Sequence, residues 1–364
     1  MPPATLFNYI ASRTLLALGG LFAVFACLIL LVDLIENLRF AGKFAEGSFG
    51  LAASLTLLRT PSLTQMLTPF VFLFGSIWMF HELNRRSEIS VMRSAGLSVW
   101  RLIGPAALIA AVAGLVLITI IDPLSANLRA QAESLKNREQ GLDRNLVQVF
   151  GDGIWLRQQD ANKKLIINAE NFDEQRSALE RVTIWRFDTN NAFEERIDAD
   201  EAFLSGKTLE LHDARLRSPV SQGARYTPIF AVETPLSAVN LRERVAPPET
   251  MSIWRLPEFI LLAEAAGLPT IRYNIRFHDL CSTPLKLLAM VLIAAAFSMR
   301  PARAGGAIQL VLFSILAGFI LYIVSEISTA LGESGMVPPA LAAWTPAILA
   351  SLAAVTTLLH LEDG

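Results

Sequence analysis

The 364-residue chain is 53% hydrophobic and only 18% charged, with a formal net charge of −2 and a mean hydropathy of +0.44. That balance belongs to membrane proteins and offers no basic surface to nucleic acid or another polyanion. Both cysteines, Cys27 and Cys281, fall in or beside apolar runs, so no disulfide framework staples the polar part of the chain.

Six apolar runs, at 15–32, 63–80, 102–121, 281–299, 307–324 and 341–359, each approach the ~20 residues that a helix needs to cross the hydrocarbon core. The first, flanked by Arg13, has one alternative as a secretory signal, but Asp33 and Glu36 follow it without a small-x-small cleavage site. After it comes Leu38-Arg39-Phe40-Ala41-Gly42-Lys43, whose two cations either anchor the end of the span at the headgroups or face a ligand.

Between the second and third runs, segment 82–98 places Ile89, Met92 and Ala95 among Arg85, Arg86, Glu88 and Arg93 at helical spacing and stops at Gly96. The arginines alone would serve to fix topology. Glu88 adds nothing to that rule, and Ile89, Met92 and Leu97 would expose apolar surface if left in water, so the segment is expected to dock a partner.

A helix at 128–140 continues the third run, and a long polar segment follows. Short alternating stretches at 146–150, 154–159, 165–168, 182–187, 207–213, 226–232 and 237–241, separated by turn residues, predict a β sandwich or jelly roll. A second short helix, 257–266, ends at Gly267. The fourth run carries Arg276 ahead of it and Lys286 within it; a lysine so placed either snorkels outward or faces a cavity.

Basic residues set the orientation. Arg85, Arg86, Arg93 and Arg101 lie between spans two and three, and Arg300 and Arg303 between four and five, whereas Glu326 and Glu333 have no basic neighbour. By the positive-inside rule both termini are cytoplasmic and the β segment is external. The expected fold is an α+β membrane protein of three plus three transmembrane helices with an inserted β domain: 1–122 with the cytoplasmic helix 82–98, then 123–270, then 271–364.

Catalytic signatures are lacking. Gly206-Lys207-Thr208 has Glu201 where a phosphate-binding loop needs its leading glycine, and His81-Glu82 has Arg85 where a zinc-protease helix needs its second histidine. His212, His278 and His360 are dispersed. The chain is not expected to be an enzyme, nor to need a cofactor or metal.

The run Arg86-Ser87-Glu88-Ile89-Ser90-Val91-Met92-Arg93-Ser94-Ala95-Gly96 resembles the coupling-helix motif of the LptF/LptG lipopolysaccharide-export permeases. Similarity extends over the whole chain: three spans, a β jelly roll and three more spans in that order. Leu31-Val32-Asp33, Arg272-Tyr273 and Val337-Pro338-Pro339 look like the LptG branch. The resemblance implies an inner-membrane complex with an LptB-like ATPase dimer, an LptF-like permease partner and an LptC-like periplasmic jelly-roll protein, moving lipopolysaccharide from the outer leaflet through a periplasmic jelly roll. Glu88 then matches the acidic residue that pairs with the ATPase, with Met92 and Gly96 as packing positions and Arg85, Arg86, Ile89 and Arg93 beside them. Arg39, Lys43, Lys286 and Arg276 are candidates for the lipid's phosphates. A different class, a membrane sensor or scaffold whose β domain binds a ligand, would need a cytoplasmic output domain, which the segment 82–98 would have to recruit.

Overall fold

In a computed structural model, residues 3–43, 49–139, 145–150, 153–159, 164–173, 176, 178–188, 192–205, 208–218, 225–233, 247–265, 268–299 and 307–363 are described. Their contacts divide the chain into two compact units, Met1–Arg129 with Asn274–Gly364, and Ala130–Tyr273.

The first unit is helical. Among the described residues are α1 (Pro3–Ala41), α2 (Phe49–Arg85), the short α3 (Glu88–Ser94), α4 (Val99–Val116), a π-helical turn (Leu117–Ile121) leading into α5 (Asp122–Glu139), α7 (Ile271–Ser298), α8 (Ala307–Glu333) and α9 (Pro339–Asp363). Six helices are long and apolar enough to cross a membrane, and α4 with α5 forms the third of them. Their outward sides carry Leu16, Val24 and Leu28 on α1 and Leu316, Ile320 and Ile323 on α8, all exposed, as a lipid-facing helix requires. Inward, Leu73 and Phe80 of α2, Ile103 and Ala106 of α4, and Leu287 and Ala294 of α7 form one buried cluster. Small residues let the backbones close up. A Cβ on Gly114 would stand 2.4 Å from Pro284 Cα, so the contact between α4 and α7 needs glycine.

The second unit holds one antiparallel sheet whose strands follow in sequence order: β1 (Asn145–Phe150), β2 (Gly153–Gln159), β3 (Lys164–Asp173), β4 (Ala178–Phe187), β5 (Phe193–Ser205), β6 (Thr208–Arg217) and β7 (Arg225–Glu233). The expected inserted β domain is therefore present, and its described strands form a meander of hairpins. Predicted strand 237–241 and Gly267 lie outside the described residues, as do Arg300 and Arg303. Helix α6 (Leu256–Ala265) covers the core face: its Ala263, with Phe259 and Leu268, packs among Ile167, Ile184, Ile197 and Leu211.

A crease crosses this sheet. Ladder pairing skips one level between Ala169↔Val182 and Asn171↔Glu180, between Val182↔Ala199 and Glu180↔Glu201, and between Ala214↔Thr227 and His212↔Ile229. Arg181 and Asp213 lie on it with φ of 50° and 56°, the left-handed region that non-glycine residues seldom adopt. Buried positions change parity there, from Leu179 to Val182 and Ile184, and from Leu209 and Leu211 to Ala214. Strands β4, β5 and β6 turn over at the same level and keep one face on the core. The Tyr226 hydroxyl donates to the Asp213 carboxylate beside the crease, which raises the phenol above its ordinary pKa.

Candidate functional site

The segment 82–98 is two structures joined by a break. Residues through Arg85 complete α2; Ser87 then takes a left-handed conformation, φ 59°, and its carbonyl receives the Val91 N–H at 3.1 Å to start α3. Helix α3 has seven residues. Its end is a Schellman arrangement: Gly96 N–H donates to Arg93 O at 2.9 Å and Leu97 N–H to Met92 O at 3.2 Å, with Gly96 at φ +80°. That φ is why glycine ends the run. Ser98 caps α4, its Oγ accepting from Trp100 N–H at 3.2 Å while donating to Glu362 on α9. On the other flank, Asn84 Nδ2 donates to Ser298 O of α7 at 3.2 Å.

Within this frame the predicted residues separate by face. Arg85 and Arg86 are exposed. Arg86 pairs with Glu82 at 2.7 Å, and that hydrogen-bonded carboxylate raises the guanidinium above its ordinary pKa. Glu88 opens α3 half-buried, its Oε2 accepting from the Tyr9 hydroxyl at 2.8 Å. Met92 and Arg93 are half-buried, Met92 against the helical core. Ile89 does not offer apolar surface to a partner as expected: it is 3% exposed and belongs to the core of its own chain, anchoring α3. Val91, 66% exposed, is the apolar side chain that α3 presents outward.

The four candidate cations for the substrate also divide. Arg39 and Lys43, at the end of α1, are exposed, and among the described residues neither pairs with an acid. Arg276 reaches Asp122 at 3.0 Å, and the Asp122 side chain is 0% exposed. Lys286 pairs with Asp279 two turns back on α7. Sequence reasoning missed Arg59, which lies 3.3 Å from Asp33 of α1. The signal was Asp33 itself, since an acid within a span-length helix calls for a cation. Asn37 supports Asp33 at 2.7 Å and bonds Thr56 at 2.9 Å.

In the β unit a cavity of about 220 Å³ opens at the crease. Its charges are largely matched: Arg181 bonds Glu170 at 2.5 Å, and Asp198 accepts from Thr183 at 3.0 Å and from Arg196. The better site is the α3 end of the helical unit. A short helix accepts a hydrogen bond there from α1, its flanks donate to α7 and α9, and Arg85, Arg86 and Val91 are exposed beside the half-buried Glu88.

A family model described as lipopolysaccharide export system permease LptF/LptG matches residues 8–360. The chain is 24% identical over 331 residues to the lipopolysaccharide export system permease protein LptG of Escherichia coli K12, covering 87% of each chain. It is 25% identical over 347 residues to the protein of that name from Haemophilus influenzae, covering 90% of this chain and 92% of the relative.

Proposed function

This chain belongs to the LptF/LptG family of lipopolysaccharide export permeases, a multi-pass inner-membrane transport subunit, and from that premise we propose that it couples export to a separate cytoplasmic ATPase through α3. One observation carries the proposal: a helix of seven residues between two spans, broken from α2 at Ser87 and stopped at Gly96, presents Glu88 beside Arg85, Arg86 and Val91. A helix docked on its own core through Ile89 and pinned at both flanks passes a push to the spans rather than yielding to it.

The partners that fit are an LptB-like ATPase dimer under α3, an LptF-like second permease and an LptC-like periplasmic protein. Closure of the ATPases on ATP drives the two permeases together and expels lipopolysaccharide from the cavity between them into the β domain, which hands it to the periplasmic bridge. Both termini and α3 are then cytoplasmic. Ser90 and Ser334 are both exposed, so labelling reports side rather than burial. In a background lacking Cys27 and Cys281, Ser90→Cys is expected to resist an impermeant thiol reagent in spheroplasts while Ser334→Cys reacts; a labelled Ser90→Cys inverts the topology and removes the ATPase from the scheme.

Lipid A is an anionic glycolipid among other lipids, so an apolar groove alone does not select it. Arg39 and Lys43 supply charge at the outer end of α1, where each charge-assisted hydrogen bond to a phosphate is worth ~1.5–3 kcal/mol. Arg39→Glu with Lys43→Glu should weaken lipopolysaccharide binding and lipopolysaccharide-stimulated ATP hydrolysis while the complex still assembles. Unchanged binding, together with no lipid adduct from a photo-crosslinker at Phe40, would return both residues to anchoring the span.

A further inference from the structure

Helix α1 meets α3 through a directional contact. The Tyr9 hydroxyl donates to Glu88 Oε2 at 2.8 Å across 79 residues of sequence. One turn further along α1, the Arg13 guanidinium lies over the Tyr9 ring, 5.4 Å from its centroid. A cation on that face is attracted to the ring and holds its orientation. Ile10, 0% exposed, and Ile89 belong to one continuous buried cluster alongside Leu83. Apolar packing thus fixes how far α3 stands from α1, and the hydroxyl fixes where the Glu88 carboxylate points.

The nearby Glu82 is engaged by Arg86, and among the described residues Tyr9 is the hydrogen-bond donor to Glu88. A neutral phenol is the right strength for this task. An arginine or lysine from a docking protein makes a stronger, charge-assisted bond to the same carboxylate, and its second oxygen is free to accept it while Tyr9 holds the first.

On the reading of Glu88 as the docking carboxylate, we propose that Tyr9 is a positioning residue for ATPase coupling: it aims Glu88 before docking and ties the movement of α3 to α1 afterwards. Helix α1 is continuous over 39 residues, a rod of about 58 Å at 1.5 Å per residue. At its far end it carries Asp33, held by Arg59, and the exposed Arg39. Displacement at Tyr9 therefore arrives at the end of the helix where the substrate's charges are met.

The test uses the whole complex in proteoliposomes containing lipopolysaccharide, with ATP hydrolysis and lipopolysaccharide release measured separately. Tyr9→Phe keeps the ring, its contact with Arg13 and the packing around Ile10, and removes only the hydroxyl. Release per ATP should fall about tenfold, ~1.4 kcal/mol of coupling, with assembly unchanged; in a Glu88→Gln background Tyr9→Phe should add little. Wild-type release per ATP from Tyr9→Phe, alongside uncoupling in Glu88→Ala, overturns the positioning role and leaves the docking role standing. If Glu88→Ala is also without effect, the docking role itself fails. Loss of assembly in step with release makes Tyr9 a scaffold residue and equally overturns the proposal.

Discussion

Replacing Glu88 with alanine or lysine should leave the chain inserted in the membrane and detach or uncouple its ATPase. The carboxylate is half-buried at the start of α3 and already accepts one hydrogen bond. A basic residue docking there loses water from both partners, and truncating one side of such a pair costs ~2–5 kcal/mol, a loss of ~30-fold or more in association. Lysine should be worse than alanine, because it sets two cations against each other beside Arg85 and Arg86. Detergent-solubilised complex captured through this chain should retain the second permease subunit and lose the ATPase. Normal export with the ATPase bound in both variants would exclude α3 as the docking helix.

Much of the fold was legible because its strongest determinants are local. A membrane span is a run of apolar residues, so the six helices follow from composition at about their observed places. Strands are harder, since they are recognised by a period of two, and the crease breaks that period inside them. Predicted 182–187 begins just past Arg181 and predicted 207–213 ends at Asp213, the two left-handed residues. Alternation was thus followed correctly up to the crease and lost there. Strand β5, Phe193–Ser205, was missed altogether: its Glu194, Glu195, Asp198, Asp200 and Glu201 depress strand propensity, and its inward Ile197, Ala199 and Ala202 switch parity midway.

At the candidate site, contiguous features were readable and distant ones were not. Gly96 announces the helix stop by itself, because the chain needs φ +80° there. Which face of α3 turns inward was not readable, since seven residues make fewer than two turns and give no clear stripe. Ile89 was consequently assigned to a partner when it belongs to the core. Tyr9 could not be found from sequence, standing 79 residues from the carboxylate that it holds.

Arg276→Ala should destabilise the helical unit strongly rather than merely weaken lipid binding. Its guanidinium meets Asp122 at 3.0 Å, joining α7 to the first residue of α5, and the Asp122 side chain is 0% exposed. Removing the arginine takes a counter-charge at 3.0 Å away from a buried carboxylate, and breaking such a pair costs ~3–5 kcal/mol. Removing both charges is different: Asp122→Asn with Arg276→Gln keeps the shapes and hydrogen-bonding groups and strands no ion, so most of the stability should return. The measurement is the unfolding midpoint of the detergent-solubilised protein beside lipopolysaccharide binding by the assembled complex. A phosphate-binding Arg276 predicts the opposite pattern, with unchanged stability in Arg276→Ala and binding that the second substitution cannot restore. Recovery of both quantities in the double variant would place Arg276 in the architecture that holds α5 against α7, and leave the exposed Arg39 and Lys43 as the cations available to the substrate.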